Sequence, residues 1–110
     1  MNAFFAELGE RFAAVARRQG AAIAPPELDP ELAEELLALA RAVAHGRERR
    51  FAPLATFLAG VSVERLRGAR PDATDADVAD IVRAVREALD REPPAGGSEG
   101  EVGEPAGPGG

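Results

Sequence analysis

Proline and glycine cut this chain into four apolar segments, and none of the four alternates with a period of two. Each repeats its large apolar side chains every three or four residues, which is the spacing of one helix face. No Asn-Gly or Asp-Gly hairpin signal occurs between them, so strands have no foothold. The pattern predicts an all-α fold: a single small domain of about four helices. At 110 residues the chain has room for one core.

The first helix is expected from Ala3 to Arg18, with Asn2 as cap, Phe4, Leu8, Phe12 and Val15 as its stripe, and Gly20 as its stop. After the stiff Pro25-Pro26 connection, Asp29 and Pro30 start a second helix with Leu32, Leu36, Leu39 and Val43 on one face, broadened by Leu37 and Ala40, and ended by Gly46. The short connection makes these two antiparallel neighbours. A third helix, Phe51 to Val63, starts near Pro53 and places Leu54, Phe57, Leu58 and Val61 on one side, where they would join the core. Gly60 inside it fits a close helix crossing. Thr74 with Asp77 makes a capping box for the fourth helix, whose stripe is Val78, Ile81, Val82, Val85 and Leu89. Pro93 and Pro94 end it.

Two parts are therefore expected. Residues 1–91 form the helical domain, and residues 92–110 a disordered tail. The tail holds seven Gly, four Pro and four Glu, with Val102 as its one large apolar side chain. Such a segment has too little apolar surface to offset the entropy of ordering it. It also carries much of the net charge of −6, because without its four Glu the body has thirteen Arg against fifteen acids. A body so nearly balanced has no generic attraction to nucleic acid or to an anionic membrane. No run approaches the roughly 18 apolar residues of a membrane span, and no basic flank leads into an apolar segment at the start. The expectation is a cytoplasmic protein.

Composition removes whole classes of chemistry. With no Cys there is neither a disulfide nor a thiolate metal site, and with no Lys there is neither a P-loop lysine nor a Schiff base. His45 is the one imidazole, and no spacing supplies it with the partners of a triad or a zinc pair. Its place in the last turn of the second helix suits the helix dipole. Asp72, Asp75, Asp77 and Asp80 do not follow the calcium-loop pattern, since a loop begun at Asp75 has Ala79 fifth and Asp80 sixth. Acids there suit the start of a helix.

The densest charge lies at the junction of the second and third helices, where Arg41, His45, Arg47, Arg49 and Arg50 precede Phe51. Guanidinium forks beside a helix start are suited to phosphate or carboxylate, so these five residues are the candidate anion-binding or partner-binding site. The segment Ala59-Gly60-Val61-Ser62 is similar to the turn of helix-turn-helix DNA-binding proteins. Its continuation places Arg65 where that motif needs an apolar contact and meets Gly68 within two turns.

The stretch LARAVAHGRERRFAPLATFLAG, Leu39 to Gly60, resembles the central signature of a family of small uncharacterised actinobacterial-type helical domains. In that family a "LAR-x-VAH" segment leads into "APLTTFLVG". Here Leu39, Arg41, Val43 and His45 carry the first, and Pro53, Leu54, Phe57 and Gly60 the second, with Ala55 where Thr is common. The resemblance implies an all-helical domain of unknown biochemical activity, without assigned catalytic residues. Similar domains are associated with or fused to a molybdenum cofactor guanylyltransferase, which implies an accessory role in forming molybdopterin guanine dinucleotide. The expectation is a non-enzymatic accessory or interaction domain with no cofactor of its own and that transferase or another protein as partner. A helix-turn-helix-like DNA-binding domain and a small-anion or nucleotide-binding module are the alternatives.

Overall fold

The computed structural model describes residues 3–93. Four helices follow one another along the chain: α1 (Ala3–Arg18), α2 (Pro30–Gly46), α3 (Phe51–Ala69) and α4 (Asp75–Asp90). Among the described residues there is no strand. Asn2, the expected cap of α1, and most of the expected disordered tail, residues 94–110, lie outside the described part.

The starts of α2 and α4 follow directly from local chemistry. The Asp29 carboxylate accepts from the Leu32 N–H at 3.0 Å, with Pro30 at the first helical position where no N–H is needed. At α4 the capping box closes in both directions. Thr74 donates its N–H to the Asp77 carboxylate at 2.9 Å, and the Asp77 N–H donates to the Thr74 hydroxyl at 3.1 Å. The backbone N–H of Thr74 and, after it, the Thr74 side chain hold the Asp77 carboxyl below its ordinary pKa.

The helix α2 is the centre of the domain, packed against α4 along much of its length and against α3 on its other flank. The core is the seam these three share: Leu32, Leu39 and Val43 from α2, Val63 from α3, Val78 and Val82 from α4. Charge reinforces the α2–α4 contact. Glu35 accepts a hydrogen bond from Nε of Arg83 at 2.9 Å and lies at the same distance from its Nη2 as an ion pair, Arg86 stands 3.7 Å from the other Glu35 oxygen, and Arg83 also bonds Asp80.

Three packing expectations are overturned. No Cα of α1 comes within 8 Å of another helix, so α1 and α2 are not antiparallel neighbours. Instead α1 lies on its own connecting loop and buries Gly9 and Ala13, leaving Phe4, Phe12 and Val15 exposed. The reason is steric: the loop backbone at Pro26 comes so near that only a residue without a side chain fits at position 9. In α3 the inward face is Ala55, Ala59, Val63 and Leu66, while Leu54, Phe57 and Leu58 point outward and are 63%, 69% and 65% exposed. Small residues let α3 approach α2 closely, and that approach sets the face. Gly60 is not at a crossing, because no other residue comes within 4 Å of where its Cβ would be.

Candidate functional site

Arg41 and His45 stand one turn apart on α2, both exposed, so a single helix face presents them together. Gly46 ends the helix, and the Arg47 N–H closes the last turn onto the Val43 carbonyl at 2.8 Å. The arginines that follow diverge. Arg47 turns back to the Gly46 carbonyl at 3.1 Å and to the Glu92 carboxylate at 2.8 Å. Arg50 bonds Glu48 at 2.8 Å and lies 5.8 Å from the centre of the Phe51 ring, a cation–π distance. Arg49 is exposed. The five predicted residues are thus divided between the α2 face and the loop.

The start of α3 has few free donors. The Phe51 and Ala52 N–H groups already donate to the Glu48 and Arg49 carbonyls at 3.0 and 3.1 Å, and Pro53 has no N–H. The open feature lies instead beside Arg41 and His45. A cleft of about 600 Å³ between the C-terminal halves of α2 and α4 has those two side chains on one wall. Arg86, Asp90 and Glu92 form the other. Asp90 bonds Arg86 at 3.2 Å, and Glu92 is held by Arg47, so both acids on that wall are already engaged. Among the described residues no carboxylate is bonded to His45 or Arg41.

The aspartates around the start of α4 separate in the same way. Asp77 closes the capping box, Asp80 bonds Arg83, and Asp75 stands 3.6 Å from Arg67. Among the described residues no group of three or more His, Cys, Asp or Glu could hold a metal ion. α3 runs unbroken through Ala59-Gly60-Val61-Ser62 to Ala69, so the turn that a helix-turn-helix would need does not form there. No helix of the described residues is long and apolar enough to cross a membrane.

Sequence reasoning missed an apolar surface on α3 and α4. Beside the outward Leu54, Phe57 and Leu58 lies a groove of about 230 Å³ between α3 and α4, with Leu58, Ile81 and Val85 along it and Leu39 and Val43 at its floor. A second apolar groove joins Phe5 of α1 to Leu36 and Leu37 of α2 and to Pro53 of α3. The available signal was the run from Phe51 to Val63, thirteen residues without a charge, more than the buried side of one helix requires.

A family model described as a domain of unknown function (DUF6457) matches residues 1–97. No curated protein and no solved structure matches the chain.

Proposed function

Because the chain belongs to the family of the domain of unknown function DUF6457, we propose its role from its own surfaces: a non-catalytic helical interaction domain, which acts by docking onto protein. The observation that carries this is the outward face of α3. Leu54, Phe57 and Leu58 stand in water while Ala55 and Ala59 of the same helix face the core. Each large apolar side chain left exposed forgoes about 1.5–3 kcal/mol of burial. A contiguous patch of this kind marks a surface that another chain covers.

The resemblance to domains associated with molybdenum cofactor guanylyltransferase makes such a transferase the partner of choice, with this domain as its accessory. A second reading is favoured by the cleft. Arg41 and His45 line it without a bonded acid, so it suits a phosphate or carboxylate presented by the partner or by a nucleotide. Arg47 and Arg50, already engaged with Glu92 and Glu48, contribute to that reading only by exchanging those partners.

Calorimetric titration of the guanylyltransferase with the wild-type domain tests both. The docking reading expects saturable binding that Leu58→Ser weakens and Arg49→Ala does not. Loss of binding in Arg41→Ala/His45→Ala alone moves the contact to the cleft. A wild-type domain that does not bind removes the transferase from the proposal.

A further inference from the structure

We propose that a second copy of this chain covers the outward face of α3, in a two-fold symmetric dimer. This rests on the docking reading but puts a second copy, in place of the transferase, on its apolar surface, and leaves the cleft of Arg41 and His45 to any other partner. Three observations carry it.

The first is area. Leu54, Phe57, Leu58, Ile81 and Val85 together leave on the order of 500 Å² of side-chain surface in water. That is near the top of what the largest patch of a monomer exposes, about 300–600 Å². Phe5 of α1 and Leu37 of α2, 37% and 56% exposed, line the groove that Pro53 shares and bring the total toward the roughly 800 Å² per partner of a standard interface. The two regions approach each other at Pro53, which lines a groove with Phe5 and stands one turn before Phe57.

The second is charge. A two-fold contact sets a surface against its own likeness, so any face of one sign repels its copy. The chain has a net charge of −6, yet Phe51 to Val63 carries none. This is therefore the face on which two copies meet without repulsion. Where charge does border it, beside Phe57, Glu64 and Arg65 supply one of each sign, so the face favours neither a strongly acidic nor a strongly basic partner.

The third is shape. The groove between α3 and α4 is apolar along its length and opens beside Leu58, which gives Phe57 of the second copy a place to insert. Symmetry makes that insertion twice. The cleft of Arg41 and His45 shares only Leu89 with this groove, so it stays accessible in the dimer.

Sedimentation equilibrium of the full chain alone, across a dilution series, tests the proposal. The expected mass is twice 11.5 kDa at high concentration. Phe57→Glu and Leu58→Glu should each raise the dissociation constant at least about a hundredfold while the helical circular dichroism is retained, because both side chains are in water in a single copy. Asp72→Ala, at an exposed position in the α3–α4 connection, should leave the dimer intact. If a Glu variant loses its helical spectrum, amide exchange of the wild type decides: α3 and α4 must become more protected as concentration rises. A wild type of single-copy mass throughout overturns the proposal, as does a dimer indifferent to both Glu variants. A monomer that still binds the guanylyltransferase through Leu58 leaves the docking reading standing and removes only the second copy. A dimer that binds no transferase removes that partner and keeps the apolar face of α3 as the contact between copies.

Discussion

A methyl group on Gly9 would stand 2.3 Å from the Pro26 carbonyl oxygen, far inside any tolerated carbon–oxygen contact. This backbone approach, with the burial of Ala13, is how α1 is held, since no Cα of another helix comes within 8 Å of it. Gly9→Ala should therefore free α1 even though Ala is the better helix former by about 1 kcal/mol. The expected result is faster amide exchange over residues 3–18 and easier proteolysis between Gln19 and Asp29. Gly60→Ala, with open space around it, should instead stabilise the domain by about 0.5–1 kcal/mol. Equal effects of the two substitutions would show that the Gly9 contact does not hold α1.

Helix ends were legible because their chemistry is local: Asp29 with Pro30, and Thr74 with Asp77, satisfy free N–H groups within three residues. Facing was legible where one face alone is apolar, as in α2, whose predicted Leu32, Leu39 and Val43 are buried. It was not legible in α3, where Ala55, Ala59 and Val63 compete with Leu54, Phe57 and Leu58. Hydrophobicity favours the larger set, but the approach distance to α2 selects the smaller. The candidate site was half legible for a similar reason. Helical spacing joins Arg41 to His45, whereas nothing local foretells that Arg47 reaches Glu92, 45 residues away.

The capping box makes acid sensitivity predictable in sign. The Asp77 carboxyl is held below its ordinary value by the bonds to Thr74, so the folded state favours its charged form. The stability it contributes is fully present above the unfolded aspartate pKa of about 3.9, and is lost as pH falls through the lower folded value. The stability difference between wild type and Asp77→Ala should be constant from pH 7 to 5 and should shrink below about pH 4. Thr74→Ala should cost about 1 kcal/mol at neutral pH. A difference that grows in acid would contradict the assignment.

Glu35 and Arg83 join α2 to α4 through two 2.9 Å contacts, with Glu35 largely covered and Arg83 about one-third exposed. Glu35 raises the pKa of the Arg83 guanidinium, chiefly through the hydrogen bond, so Arg83 stays charged throughout the working pH range. A double-mutant cycle with Glu35→Gln and Arg83→Met should give a favourable coupling at low salt that falls in 1 M salt. Coupling indistinguishable from zero at low salt would mean that apolar packing alone sets the α2–α4 contact.

The inverted burial of α3 reverses the usual order of truncation costs. Val78 on α4 has no exposed surface, so Val78→Ala should lower unfolding free energy by about 1–2.5 kcal/mol although it removes only two carbons. Leu54→Ala removes three, but from a side chain that is 63% exposed, and should stay within about 0.5 kcal/mol when the chain is dilute. Under two-fold pairing the ranking changes with concentration: Leu54→Ala becomes costly once the wild type is dimeric, because stability then includes the association free energy. Val78→Ala keeps the same intrinsic cost at both concentrations. Urea melts of both variants at low and high concentration check this, and a Leu54→Ala cost independent of concentration would place Leu54 outside the contact between copies.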